Sequence, residues 1–254
     1  MSLHSKNYGS GKPLVMLHGW GMHGGIWGSV VPQLAQDFRV HCVDLPGYGV
    51  SPGLVQYDLD GVVQSLSNQF AEPVTVCGWS LGGQVALRWA QLHPEQVEKL
   101  VLVASTPCFV QRSDWQCAMA ANVLQAFSLA MTQDYRATLK RFLGLQLRGS
   151  ENERELLLRL REQLFSRGEP ESSALHGGLE ILRGTDLRMH LAQIAQHTLV
   201  ISGARDTLTP PAASEYMAQA LPNARLESIA GAAHTPFLSH PEIFVEYVME
   251  FMKG

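Results

Sequence analysis

The sequence predicts an α/β fold: a mostly parallel central sheet flanked by helices and interrupted by a helical insertion. Three observations carry this. Short apolar runs alternate with amphipathic helical patterns along the first part of the chain. Those runs are continuously apolar rather than alternating, as strands buried on both faces of a parallel sheet require. The alternation then stops after Ala104 and resumes only at Thr198.

The strand-like runs are Leu14–Leu17, Val40–Val43, Val74–Cys77 and Leu100–Val103, with two late ones at Leu199–Ile201 and Leu226–Ile229. Between the third and fourth, Leu81–Leu92 has a helical pattern ended by His93-Pro94. Strands alternating with helices imply parallel pairing through crossovers. The strandless stretch reads as about four helices. Ser113-x-x-Gln116 and Ser150-x-x-Glu153 look like capping boxes opening two of them. Pro170 suits the first turn of another. The expected organisation is a core in two parts, residues 1–110 and 186–254, with a helical lid inserted over 111–185.

Composition narrows the function. The 254 residues are 46% hydrophobic and 17% charged, which suits a folded domain with a full core rather than a disordered chain. No apolar run is long enough for a membrane-spanning helix, and the polar start of the chain lacks a secretory h-region. A net charge of −4 argues against general nucleic-acid binding. Cys42, Cys77, Cys108 and Cys117 form no C-x-x-C pair and no zinc-like spacing. They read as buried free thiols in a reducing cytoplasm.

The strongest local signal is Gly78-Trp79-Ser80-Leu81-Gly82, a G-x-S-x-G pattern. Alone it is weak, but here a strand precedes it and a helix follows. A serine on such a turn adopts strained backbone angles, and glycines beside it let neighbouring backbone pass closely. Its oxygen then sits at a helix N-terminus, where negative charge is favoured. A serine nucleophile needs a base, and the base needs an orienting acid. His234, in Gly231-Ala232-Ala233-His234-Thr235-Pro236, follows the last strand and is the expected base. Its nearest rival, His240, precedes Pro241 and reads as the start of the final helix. Asp206, in the loop after Leu199–Ile201, is the expected acid, with Asp44 and Asp186 as alternatives. Asp44, in Asp44-Leu45-Pro46-Gly47-Tyr48-Gly49, looks loop-shaping. The oxyanion donors would be the backbone N–H groups of Leu81 and Trp20, the latter in His18-Gly19-Trp20-Gly21. His18 is expected to hydrogen-bond locally.

With these residues in place, the whole chain resembles the α/β-hydrolase superfamily. Within it, the chain is similar to the biotin-synthesis carboxylesterases that act on pimeloyl-[acyl-carrier protein] methyl ester. The shared stretches are Leu17–Gly21, Val43–Gly49, Gly78–Gly83, Val103–Phe109, Arg141–Gln146, Gly177–Leu182 and Ala232–Pro241. The lid stretches are the more specific, because lids vary most among hydrolases. A serine–histidine–aspartate mechanism requires no metal or cofactor, the cysteines and polar start suit the cytoplasm, and a monomer is the default expectation. The resemblance implies an acyl carrier protein as partner; charge and the apolar-run lengths already argue against nucleic acid and membrane. Substrate contacts carried over by position are Trp20, Ser80, Leu81, Phe142, Leu143, Gly144, Leu145, Gln146 and His234. Trp20, Trp79 and Phe142 are the expected linings of the acyl channel. Met119, Phe127 and Met131 read as ordinary lid packing.

Charge adds an independent hint. Residues 136–167 hold eight basic residues against four acidic ones, a net +4 in a chain of −4. Such a lid attracts an acidic carrier. Arg136, Arg141, Arg154 and Arg159 are the candidate contacts. Ala137 and Leu158 stand where the resemblance implies arginine, with Arg136 and Arg159 beside them.

Overall fold

A computed structural model describes residues 2–254. The chain opens with β1 (Ser5–Tyr8) and β2 (Lys12–Leu17), followed by a 3-10 turn and the short helix α1 (Val31–Leu34). Next come β3 (Phe38–Val43), α2 (Leu59–Gln69), β4 (Val74–Trp79), α3 (Leu81–Leu92) and β5 (Val97–Val103). Four helices follow without a strand: α4 (Ala121–Gln133), α5 (Tyr135–Leu147), α6 (Glu153–Leu164) and α7 (Ser172–Gly184). The sheet then resumes with β6 (His197–Gly203), α8 (Pro211–Ala220), β7 (Ala224–Ile229), α9 (Pro236–Ser239) and α10 (Pro241–Lys253).

The strand order is β1-β3-β2-β4-β5-β6-β7, with β1 antiparallel and every other pairing parallel. Residues of β4 are buried throughout, which matches their unbroken apolar run. β7 lies at the edge and is only half-buried. β1, Ser-Lys-Asn-Tyr, is absent from the sequence expectation. It is short and polar because it covers the other edge, where one side needs no apolar partner.

Connectivity positions the site. From β2 the chain winds one way to β3, and from β4 the other way to β5, so the order reverses between the neighbours β2 and β4. At such a reversal the loops leaving the two strands diverge and open a crevice beyond their carboxyl ends. Leu17 pairs with Gly78, so Gly19-Trp20 and Ser80 emerge side by side there.

Three expected helix starts differ in detail. Ser113 and Asp114 form a tight turn, because Arg112 and Trp115 exchange backbone hydrogen bonds across it. Trp115 is buried, its indole donating to the Cys108 carbonyl at 2.8 Å, and this favours the turn over a helix. α6 does start near Ser150, but its N-cap is Asn152. Glu153 accepts the Gly149 N–H rather than completing a box with Ser150. Pro170 precedes the N-cap residue Glu171 of α7 instead of lying in its first turn.

Candidate active site

Ser80 sits between β4 and α3 with φ 55° and ψ −117°, a strained backbone for a residue with a side chain. The surroundings enforce it. A Cβ on Gly78 would lie 2.3 Å from the Gly82 carbonyl oxygen, and one on Gly82 would lie 2.4 Å from that of Leu17. The Ser80 N–H donates to the Val103 carbonyl at 3.0 Å, and Ser105 Oγ donates to the Ser80 carbonyl at 2.8 Å. Ser80 occupies the N-cap position of α3, yet its hydroxyl makes no cap bond. It meets His234 Nε2 at 2.9 Å instead.

The opposite nitrogen, His234 Nδ1, lies 2.8 Å from Asp206 Oδ2. Asp206 is itself clamped. Its Oδ1 accepts the N–H groups of Leu208 at 2.8 Å and Thr209 at 3.0 Å, and its Oδ2 accepts the Thr209 hydroxyl at 2.7 Å. These bonds stabilise the charged carboxylate and aim it at the imidazole. Ser80, Asp206 and His234 are 7%, 4% and 1% exposed, so their mutual electrostatics act in a low-dielectric setting. Thr209 and Ser105 were not singled out from sequence. The spacing Asp206-x-x-Thr209 was the available signal for the first, whereas Ser105 joins the site only through the packing of β5 against β4.

Leu81 opens α3, and the N–H groups of a helix's first turn lack intrahelical acceptors. Across the crevice, Trp20 is buried, its indole donating to the Leu175 carbonyl of α7 at 2.9 Å. Phe142 packs edge-on to Trp20 with ring centroids 5.0 Å apart. Leu143 and Gln146 are buried, and Gly144 and Leu145 are half-buried. The Gln146 carbonyl accepts the His234 N–H at 3.0 Å, and its side-chain Oε1 is buried with no partner among the described residues. Trp79 differs from its expected place in the channel. Its indole donates to the His234 carbonyl at 2.7 Å and its ring packs on Phe237, so it stands behind His234.

The rival residues have other tasks. His18 donates from Nδ1 to the Gly19 carbonyl at 2.8 Å and accepts the Leu45 N–H at Nε2, which fixes a neutral tautomer. Burial lowers its pKa to about 4, in keeping with that pairing. Asp44 is fully buried, accepting the N–H groups of Gly24 and Val50 and an ion pair from Arg167 at 3.1 Å. It ties the 3-10 turn, its own loop and the insertion together. Asp186 pairs with Arg188 at 2.7 Å, away from the triad candidates. His240 caps α10.

The four candidate carrier contacts of the insertion, Arg136, Arg141, Arg154 and Arg159, are exposed. Arg136 pairs with Glu169 and lies over the Phe165 ring. Arg141 lies over Phe127 at 4.8 Å, and Arg159 pairs with Glu155 one turn away at 2.7 Å. Arg154 projects from the first turn of α6. All four cysteines are free, and burial pushes the Cys42 thiol up to about 12 and that of Cys77 up as well. Among the described residues, no helix is long and apolar enough to cross a membrane.

Comparison with known proteins agrees with this geometry. A family model described as alpha/beta hydrolase fold matches residues 12–241. A pimeloyl-[acyl-carrier protein] methyl ester esterase from Nitrosomonas europaea is 47% identical over 244 residues, covering 96% of this chain and 97% of that protein. One of the same name from Nitrosospira multiformis is 41% identical over 260 residues, covering 100% and 99%. Among solved structures, an esterase from Exiguobacterium antarcticum superposes with a TM-score of 0.90 at 28% identity, covering 99% of this chain and 96% of that one. The chain therefore belongs to the alpha/beta hydrolase fold family and, within it, to the family of the pimeloyl-[acyl-carrier protein] methyl ester esterases.

Proposed function

We propose that the protein is a serine carboxylesterase that hydrolyses the methyl ester of pimeloyl-[acyl-carrier protein] methyl ester, releasing methanol in biotin biosynthesis. The observation that carries the chemistry is the unbroken run of hydrogen bonds from Ser80 Oγ through His234 to Asp206, at 2.9 and 2.8 Å. The full-length relatives at 41–47% identity supply the substrate.

His234 Nε2 takes the Ser80 proton as Ser80 Oγ attacks the distal ester carbonyl. The N–H groups of Trp20 and Leu81 hold the oxyanion. A donor in such a position contributes about 3–4 kcal/mol to transition-state stability. Imidazolium His234, stabilised by Asp206, then protonates the departing methoxide. Water, deprotonated by His234, attacks the acyl-enzyme, and Ser80 regains its proton as the carboxylate leaves. No step calls on a metal or a cofactor. Trp20, Phe142 and the segment to Gln146 line the chain's path. The carrier thioester stays outside because reach alone selects the distal carbonyl.

The helical insertion serves as the lid in this reading, and Arg141 and Arg154 lead the encounter with an acidic carrier. Arg136 and Arg159, already paired locally, add to the field more than to specific contacts. Four free cysteines suit a protein working in the reducing cytoplasm. The test is single-turnover methanol release from the carrier-linked methyl ester against the free ester, at two salt concentrations. The reading expects faster release from the carrier-linked ester, with the advantage shrinking as salt rises. Equal rates on both would leave a general carboxylesterase. Ser80→Ala should abolish release from either.

A further inference from the structure

We infer that residues 146–151 of the insertion are a positioning element for the catalytic base, with Ser150 its principal side chain. This rests on the Ser80–His234–Asp206 reading above. The segment runs from the last residues of α5 into the loop before α6, so it belongs to the insertion by sequence, yet its hydrogen bonds go to the loops bearing the base and the acid. The Gln146 carbonyl accepts the His234 N–H at 3.0 Å. Ser150 Oγ accepts the Ala233 N–H at 3.2 Å. The Glu151 N–H donates to the Gly231 carbonyl at 3.1 Å. From the other side, Arg205, the residue before Asp206, donates to the Gly149 carbonyl at 3.1 Å.

Each bond has a geometric consequence. The base loop has no ladder of its own beyond β7, so consecutive N–H groups at Ala233 and His234 need acceptors from elsewhere. Two of those acceptors come from the insertion. Ser150 is 9% exposed, so water is a poor substitute for its hydroxyl. A shift of the 146–151 segment therefore drags the backbone of His234, and with it the 2.9 Å contact to Ser80. The seating of the insertion and the alignment of the base are one structural event. An insertion lifted at this seam leaves the base misplaced, so the site is competent only when the cover is down.

Two variants of equal volume isolate the hydroxyl: Ser150→Thr keeps it and Ser150→Val lacks it. The readouts are kcat and KM on a small p-nitrophenyl ester, and the rate at which a small fluorophosphonate modifies Ser80. Neither probe needs the carrier. Wild-type modification that vanishes in Ser80→Ala establishes the nucleophile independently, so failure of that reading is visible by itself. Ser150→Val should lower kcat and the modification rate about tenfold with KM unchanged, and Ser150→Thr should restore most of both. Equal rates in the folded Val and Thr variants overturn the proposal. So does a loss that merely follows the folded fraction. Should both variants fail to fold, Arg205→Ala, exposed and outside the triad, replaces them. It should lower kcat about threefold with KM unchanged, and wild-type kcat in that variant overturns the proposal.

Discussion

Asp206 and the arginines of α5 and α6 hold their charges in opposite ways. The Asp206 carboxylate is buried, with four hydrogen bonds converging on two oxygens. Arg136 and Arg159 lie in solvent beside Glu169 and Glu155. A buried charge with every lone pair directed cannot move without loss, so the core region fixes atoms to within hydrogen-bond tolerance. Exposed pairs on helices are worth about 0–1 kcal/mol each and tolerate rearrangement. The first arrangement suits bond making, and the second suits a transient encounter. Asp44–Arg167 is the exception that joins the two regions: one partner is a fully buried core carboxylate, the other an insertion arginine.

The sharpest way to break this contrast is Asp206→Asn. It preserves shape but favours the wrong imidazole tautomer, so kcat should fall by about 10^4-fold with the fold intact. Steady-state kinetics on carrier-linked and small esters should show the same factor for both. Next comes Arg167→Ala, which leaves Asp44 buried without its cation. Removing one partner of a buried pair costs about 3–5 kcal/mol; Arg167 is itself one-fifth exposed, so about 2–3 kcal/mol is expected in denaturant unfolding.

Acid should separate the regions further. His18 is held neutral, with its pKa lowered from 6.5 to about 4 by burial, and burial lowers His23 in the same direction. The unfolded chain therefore binds protons that the folded chain refuses as pH falls from about 6.5 toward 4. Stability is full above that window and is lost through it, and unfolding midpoints at pH 7, 5.5 and 4.5 should fall in that order. The smallest effect belongs to Arg159→Ala. It should change stability by less than about 0.5 kcal/mol, and should raise KM for the carrier-linked ester about twofold at low salt only. An equal KM change at high salt would mean that Arg159 makes a specific contact.

Much of the site was readable along the chain because each member follows a strand. Ser80 after β4, Asp206 after β6 and His234 after β7 all sit on loops at one end of a parallel sheet, and parallel pairing alone brings them to the same edge. What was misread shares a cause. Trp79 was assigned to the channel on its aromatic character, but its position next to Ser80 directs it behind His234. Ser113 and Ser150 carry the letters of a capping box. In the fold, Trp115 burial makes a turn of the first, and the His234 loop takes the hydroxyl of the second. β1 escaped notice because an edge strand needs little apolar sequence.

By itself, the sequence determined the α/β alternation, the sharp strand-to-helix turn at Ser80, the order of the three candidate catalytic residues and the basic character of the insertion. These depend on local periodicity, glycine placement and composition, which act within a few residues. Tertiary structure alone decided the clamps of Ser105 on the Ser80 carbonyl and of Gln146 and Ser150 on the His234 loop, and the Asp44–Arg167 tie. Those contacts join residues 25 to 123 positions apart. A serine or arginine looks the same along the chain whichever partner it meets. Its partner is chosen by how the insertion packs over the sheet, and that packing is a sum over many weak apolar contacts that no short stretch encodes.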